Sequence, residues 1–147
     1  LKGQVELRLQ KNPKNIFKGI IQADEKFDLT ICNPPFHSSQ KEAQSGSLRK
    51  ISNLKHKKAS KASLNFGGQS NELWCEGGEK YFIENMILES KMFSDSCSWF
   101  STLVAKSASL DGIYYAFKKT EAVQVETIPM GQGNKISRIV AWTFFKK

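Results

Sequence analysis

The run Asn33-Pro34-Pro35-Phe36 is the most distinctive chemical group in the sequence. It follows residues 27–32, an apolar stretch that predicts a mostly buried strand ended by the prolines. The Asn33 side-chain oxygen and the Pro34 carbonyl are both acceptors, and the prolines restrict the backbone that carries them. Two preset acceptors suit an amine with two hydrogens. Phe36 adds an aromatic face on which a nucleobase can stack.

An adenine amine is a poor nucleophile because its lone pair is delocalised into the ring. Acceptors on both of its hydrogens would draw the nitrogen toward tetrahedral geometry and localise that lone pair. Asn33 is no general base, so the proton would leave to water. The alternative is that Pro34 and Pro35 merely end a strand, but the full run directly after a strand favours the chemical interpretation.

The surrounding pattern predicts a single α/β domain. Strands are predicted at 4–10, 27–32, 97–104, 122–128 and 136–145, helices at 16–21, 79–92 and 110–119, a long loop at about 37–68, and a turn at 130–135. Alternating strands and helices imply a mostly parallel sheet covered on both faces, and the last two strands form an antiparallel hairpin. Ligands bind such sheets at the carboxyl ends of the strands, where the motif lies. Trp99 and Trp142 fall in apolar strands and are expected in the core.

The charge balance fits either a polyanionic partner or a basic protein that has no nucleic-acid partner. The chain has 22 Lys and Arg against 14 Asp and Glu, a formal net charge of +8. The long loop holds a basic run that predicts an RNA-phosphate contact beside the motif, the alternative being an ordinary solvated loop: Arg49, Lys50, Lys55, His56, Lys57, Lys58 and Lys61. His37, next to the motif, is a candidate proton acceptor or base contact, or has neither role.

Metal and membrane functions find no support in the sequence. Cys32, Cys75 and Cys97 form no Cys-x-x-Cys pair, and the two histidines follow no zinc spacing. Sparse cysteines fit a reducing cytoplasm, and no apolar run approaches the ~18–20 residues of a membrane span. Glu76 and Glu79 are expected to begin a helix rather than bind a metal.

Asn-Pro-Pro followed by an aromatic residue resembles the signature of the class I amino-methyltransferases. Longer strings resemble the family of 23S ribosomal RNA adenine-N6 methyltransferase F over nearly the whole chain: residues 32–39, 64–69, 72–79, 130–135, 137–138 and 141–144. The resemblance implies a Rossmann-like sheet, S-adenosylmethionine as methyl donor and large-subunit ribosomal RNA as substrate. It also implies that Asn33 and Pro34 hold the target amine, that Phe36 stacks on the base, and that Asn33 lies near the methionine end of the donor.

One departure from that family concerns the donor. Its fold starts with a strand and a Gly-rich turn, and a second strand ends in an acidic residue; neither is present here. The glycines at 131 and 133 lie between C-terminal strands and open no helix. We therefore expect residues 1–147 to form one partial, N-terminally truncated methyltransferase domain that alone binds S-adenosylmethionine weakly or not at all. Only the stretch around Asn12 is then left to touch the donor's adenine.

Two other functions stay open at this stage. The same motif serves amino-methyltransferases of DNA adenine or of protein glutamine, although those commonly carry Tyr where this chain has Phe36. Alternatively, the chain is a non-catalytic RNA-binding fragment or an inert truncation.

Overall fold

A computed structural model describes residues 5–39, 41, 74–132 and 135–146. In chain order its elements are strand β1 (Phe27–Leu29), helix α1 (Gly78–Ser90), strand β2 (Cys97–Val104), helix α2 (Leu110–Phe117) and strands β3 (Gln124–Gln132) and β4 (Lys135–Thr143). Short 3-10 turns, Lys91–Phe93 and Ser107–Ser109, follow α1 and precede α2.

The four strands form one mixed sheet in the order β1-β2-β4-β3. Strand β1 runs parallel to β2, with Phe27 opposite Cys97. Strand β4 runs antiparallel to both β2 and β3. The predicted α/β fold and its C-terminal antiparallel hairpin are confirmed. The sheet was predicted to be mostly parallel, but within the described residues one strand pair is parallel and two are antiparallel, because the hairpin strand β4 pairs directly with β2.

The hydrophobic core lies between the sheet and the two helices. Phe100 of β2 stacks on Trp142 of β4 at a ring-centroid distance of 5.8 Å. Trp142 is fully buried, as the sequence predicted. Trp99 is only half-buried, because neighbouring residues of a strand face opposite sides and Phe100 takes the core side. The buried apolar side chains that join Phe100 and Trp142 are Phe17, Ile83, Met86, Ile87, Cys97, Val104, Ile113, Ala116, Phe117 and Val140.

The strand predicted at 4–10 is wrong for residues 5–10, which form no regular structure. Apolar and polar residues do alternate in this segment. Leu7 and Leu9 are nevertheless largely exposed, because no described strand packs against the apolar side. The segment is held instead by Arg8, whose guanidinium binds the Glu25 carboxylate at 2.6 Å and the Ile20 carbonyl at 2.7 Å.

The short helix predicted at 16–21 is also wrong. Gly19 has a φ of +86°, which belongs to a turn and not to a right-handed helix. The carboxylate of Glu89 accepts hydrogen bonds from the backbone N–H groups of Ile16 (3.1 Å), Phe17 (2.7 Å) and Lys18 (2.6 Å). These donors are satisfied from α1, so the segment docks as a turn on the side of that helix.

Two further strand predictions need correction. Strand β1 ends at Leu29, and its three residues are exposed rather than buried, because β1 is an edge strand of the described sheet. The predicted turn at 130–135 is shorter, since β3 continues to Gln132 and β4 begins at Lys135.

Candidate active site

The motif begins where the parallel ladder between β1 and β2 ends. Beyond β1, the N–H of Cys32 donates to the Ser101 carbonyl (3.1 Å), and the Cys32 carbonyl accepts from the N–H of Leu103 (2.9 Å). Both backbone polar groups of Cys32 are therefore hydrogen-bonded to β2. Asn33 follows directly, at the carboxyl end of the strand, where the sequence analysis expected it.

Within the motif the prolines are buried and their neighbours are not. Pro34 and Pro35 are buried, Phe36 is half-buried and Asn33 is exposed. The rigid part of the motif is thus packed into the protein, while the amide of Asn33 is accessible to a molecule from solvent. The catalytic roles assigned to these four residues stay predictions.

A glycine turn secures the chain that leaves the motif. His37 forms a parallel bridge with Trp74, and the N–H of Cys75 donates to the His37 carbonyl (3.1 Å). The chain then turns through Gly77, which has a φ of +81°. A Cβ at this glycine would lie 2.5 Å from the Cβ of Tyr81, so the turn requires glycine on both counts. Gly77 and Gly78, which both have a positive φ, thus shape the start of α1.

Glu79 and Lys106 connect this turn, β2 and the motif. Glu79 is 2% exposed and lies in the first turn of α1. Its carboxylate accepts from the N–H groups of Ala105 (2.6 Å) and Lys106 (3.1 Å) and from the Ser109 hydroxyl (2.9 Å). The Lys106 ammonium donates to the Phe36 carbonyl (3.2 Å). Sequence reasoning placed Glu79 at the helix start but did not single out Lys106, because no local pattern shows a contact made 70 residues away.

The three cysteines are free thiols. Burial raises the pKa of Cys32, Cys75 and Cys97. A raised pKa keeps a thiol protonated at neutral pH and so lowers its nucleophilicity. Cys32, although next to Asn33, is therefore suited to packing and not to covalent catalysis.

Neither a metal cluster nor a membrane span occurs in the part of the chain that the structure describes. No group of three or more His, Cys, Asp or Glu side chains there is arranged to hold a metal ion. None of the helices there has the length and apolar character needed to cross a membrane.

The remaining predicted site residues are only partly visible. Asn12 lies in an exposed turn, where its side chain accepts from the N–H of Lys14 (3.0 Å) and its carbonyl accepts from the N–H of Asn15 (3.0 Å). These contacts are local, and a contact with the donor's adenine stays a prediction. The basic residues of the long loop lie outside the described residues: Arg49, Lys50, Lys55, Lys57, Lys58 and Lys61.

Gly77 and Gly78 do not form a cradle for S-adenosylmethionine, because a Cβ at Gly77 would lie 2.5 Å from Tyr81 and one at Gly78 would contact Ser38. Weak or absent donor binding by residues 1–147 alone stays a prediction. Asn33 is the one described residue that the family resemblance places near the donor's reactive end.

The fold and the motif together define an α/β methyltransferase. A family model described as "RNA methyltransferase" matches residues 1–146. The chain belongs to this RNA methyltransferase family.

Curated relatives give the family more detail. The chain is 60% identical over all 147 residues to ribosomal RNA large subunit methyltransferase F of Cytophaga hutchinsonii, of which it covers 46%. It is 54% identical over 143 residues, 97% of the chain, to the protein of that name from Bacteroides thetaiotaomicron, of which it covers 47%. The chain thus spans less than half the length of these relatives.

Solved structures with the same fold include human methyltransferases. The catalytic domain of human METTL16, in complex with MAT2A 3′UTR hairpin 1, matches with a TM-score of 0.65 and 26% identity, covering 86% of this chain and 42% of that one. A human methyltransferase 10 domain containing protein matches with a TM-score of 0.59 and 19% identity, covering 93% of this chain and 46% of that one. The second likeness shows the fold alone.

Proposed function

We propose that this chain carries the acceptor side of an enzyme that transfers a methyl group from S-adenosylmethionine to the N6 amine of an adenosine in large-subunit ribosomal RNA. The activity is proposed for a protein of the relatives' full length, since the chain covers 46% of the Cytophaga hutchinsonii relative. The observation that carries the proposal is the position of Asn33, exposed at the carboxyl end of a strand beside two buried prolines.

The proposed acceptor chemistry uses two groups of the motif. The Asn33 side-chain oxygen and the Pro34 carbonyl accept the two hydrogens of the adenine amine, and Phe36 supports the base by stacking. The acceptors are fixed before the substrate arrives, so little reorganisation is needed during the reaction. The donor, when bound, supplies an electrophilic methyl group. A nitrogen–carbon bond forms as the sulfur–carbon bond breaks, and the amine proton leaves to water.

Three observations support RNA as the acceptor. The family is one of RNA methyltransferases, and the relatives are named for the large ribosomal subunit. The METTL16 domain that shares this fold was crystallised with an RNA hairpin. The net charge of +8 favours a polyanion. Unpaired adenosines are the cheaper targets, because their bases need less energy to leave a stack.

A chimera tests the proposal. Residues 1–147 would replace the matching stretch of the Cytophaga hutchinsonii relative, which is 60% identical over this whole length. The chimera would be given labelled donor with unmodified large-subunit rRNA, adenine-containing DNA and a glutamine-containing protein acceptor together. We expect label in rRNA and N6-methyladenosine in its nuclease digest. Label in DNA or protein, or a different methylated nucleoside, would contradict the proposal.

A further inference from the structure

The centre of the motif lacks backbone hydrogen-bond donors. Pro34 and Pro35 carry no N–H group, so the motif cannot be tied to β2 through its own central amides. The ladder holds its entry at Cys32. Beyond the prolines, the N–H of Cys75 holds the chain at His37, and donors from elsewhere in the fold can hold the carbonyl oxygens of the motif itself.

Lys106 supplies such a donor. Its Nζ lies 3.2 Å from the carbonyl oxygen of Phe36, the last residue of the motif. Lys106 stands just beyond the end of β2, next to Ala105, and its side chain is exposed. The contact therefore joins the exits of two neighbouring parallel strands, β1 and β2, at the edge of the sheet where the substrate base is proposed to bind.

Three hydrogen bonds to the Glu79 carboxylate, which we call the Glu79 clamp, hold the backbone that carries Lys106. The buried Glu79 carboxylate accepts from the N–H groups of Ala105 and Lys106 and from the Ser109 hydroxyl. A buried carboxylate with three donors is compensated for its loss of water, and it allows those donors little freedom. The ammonium group of an exposed lysine on a mobile loop would sample many positions. The Glu79 clamp fixes the backbone of Lys106 and so narrows the range of positions that its ammonium group can reach.

We infer that Lys106 is a positioning residue for the proposed methyl transfer: held by the Glu79 clamp, it fixes the Phe36 end of the motif so that a base stacked on Phe36 presents its amine to Asn33. The inference rests on the proposed function. Lys106 acts through Phe36 and takes no part in the bond changes. Small errors in the placement of a reacting group slow a reaction strongly, so a contact of this kind serves the catalytic rate more than binding.

Kinetics of the chimera separate this role from a direct RNA contact. In Lys106→Met the side-chain length is kept and the donor is lost, and we expect kcat to fall about tenfold with KM changed less than about twofold. Lys106→Arg, which keeps a donor, should recover most of kcat. Lys118→Met, an exposed lysine at the end of α2, is the matched control and should behave like the parent. A raised KM for Lys106→Met, with a salt slope of RNA binding shallower by ~0.7, would make Lys106 a phosphate contact and overturn the inference.

A second measurement needs no methyl transfer. Phe36-His37 is the only Phe-His pair in the sequence, so a chain labelled with ¹³C-carbonyl Phe and ¹⁵N-His gives one signal that reports the Phe36 carbonyl. This signal should move in Lys106→Met and, through the clamp, in Glu79→Gln, and stay in place in Lys118→Met. An unmoved signal with an active chimera would overturn the inference alone. A chimera without transfer would overturn it together with the proposed function.

Discussion

The indole N–H of Trp142 donates a hydrogen bond to the hydroxyl oxygen of Ser90, at 2.9 Å, inside the core. Both side chains are fully buried, so water cannot replace either partner. Ser90→Ala leaves the indole N–H without an acceptor and should lower the free energy of unfolding by about 1–3 kcal/mol. Urea denaturation measures this. Ser94→Ala, in the turn after α1, is the control, and an equal loss in both variants would contradict the assigned contact.

Acid should weaken the attachment of the N-terminal segment. The hydrogen bond from Arg8 lowers the pKa of Glu25 from 4.5 to about 2. Because the folded pKa is the lower one, the stabilisation is present above pH 4.5 and is lost as the pH falls toward 2. Melting curves of the parent and Glu25→Gln should therefore differ most near neutral pH and converge near pH 2. The exposed Asp24→Asn is the control, and a pH-independent difference for Glu25→Gln would contradict the pairing.

Glu121 is the one described non-glycine residue with a positive φ, +63°. This conformation costs an L residue roughly 1 kcal/mol, and its side chain offers only an exposed ion pair with Lys91 in return. Glu121→Gly should raise the free energy of unfolding by about 0.5–1 kcal/mol. Lys118→Gly, where φ is −59°, should instead lower it. Destabilisation by Glu121→Gly in urea titrations would refute the left-handed conformation.

The sequence of the basic loop predicts how RNA binding depends on salt. If about four of its cations meet phosphates, log affinity for single-stranded RNA should fall with log salt with a slope of about −3, at ~0.7 per contact. Changing Lys55, Lys57, Lys58 and Lys61 to Gln should make the slope shallower by ~0.7 for each of these lysines that meets a phosphate. Fluorescence anisotropy across a salt series measures the slope. The control variant changes four exposed lysines, one on α1, two just after α2 and one near the end of the sequence: Lys80, Lys118, Lys119 and Lys146. A slope unchanged by the loop variant would assign the loop to solvent.

The sequence predicted the parts of the fold whose patterns are local. Strand β2 was predicted with its observed bounds, and α1, α2 and the hairpin strands within a few residues, because their apolar spacing matches the side that packs on the core. The N-terminal predictions failed because they depend on distant partners. Residues 16–18 give their N–H groups to Glu89, which no pattern within residues 16–21 can reveal.

In the candidate site, too, the sequence predicted what is local and missed the contacts between distant residues. The Asn33-Pro34-Pro35-Phe36 run identified the place, since its residue types and its position after a strand are both visible in the sequence. The residues that support this place could not be predicted. Glu79 binds the backbone of Lys106, 27 residues away, and the Lys106 side chain in turn contacts Phe36, 70 residues away. A sequence motif can show a pair of acceptors, but it cannot show that the buried Glu79 carboxylate holds the backbone of Lys106 beside them.

Asn33 is proposed to activate the target amine without holding the donor in place. The most direct test is methyl transfer to large-subunit rRNA by the chimera carrying Asn33→Ala, with donor affinity measured by calorimetry on the same protein. Asn85→Ala, on α1, is the control. We predict that transfer falls by at least about 100-fold, as when a preorganised hydrogen-bonding group is removed from an active site, while donor affinity stays within a few-fold. Turnover near the parent rate in Asn33→Ala would contradict the mechanism.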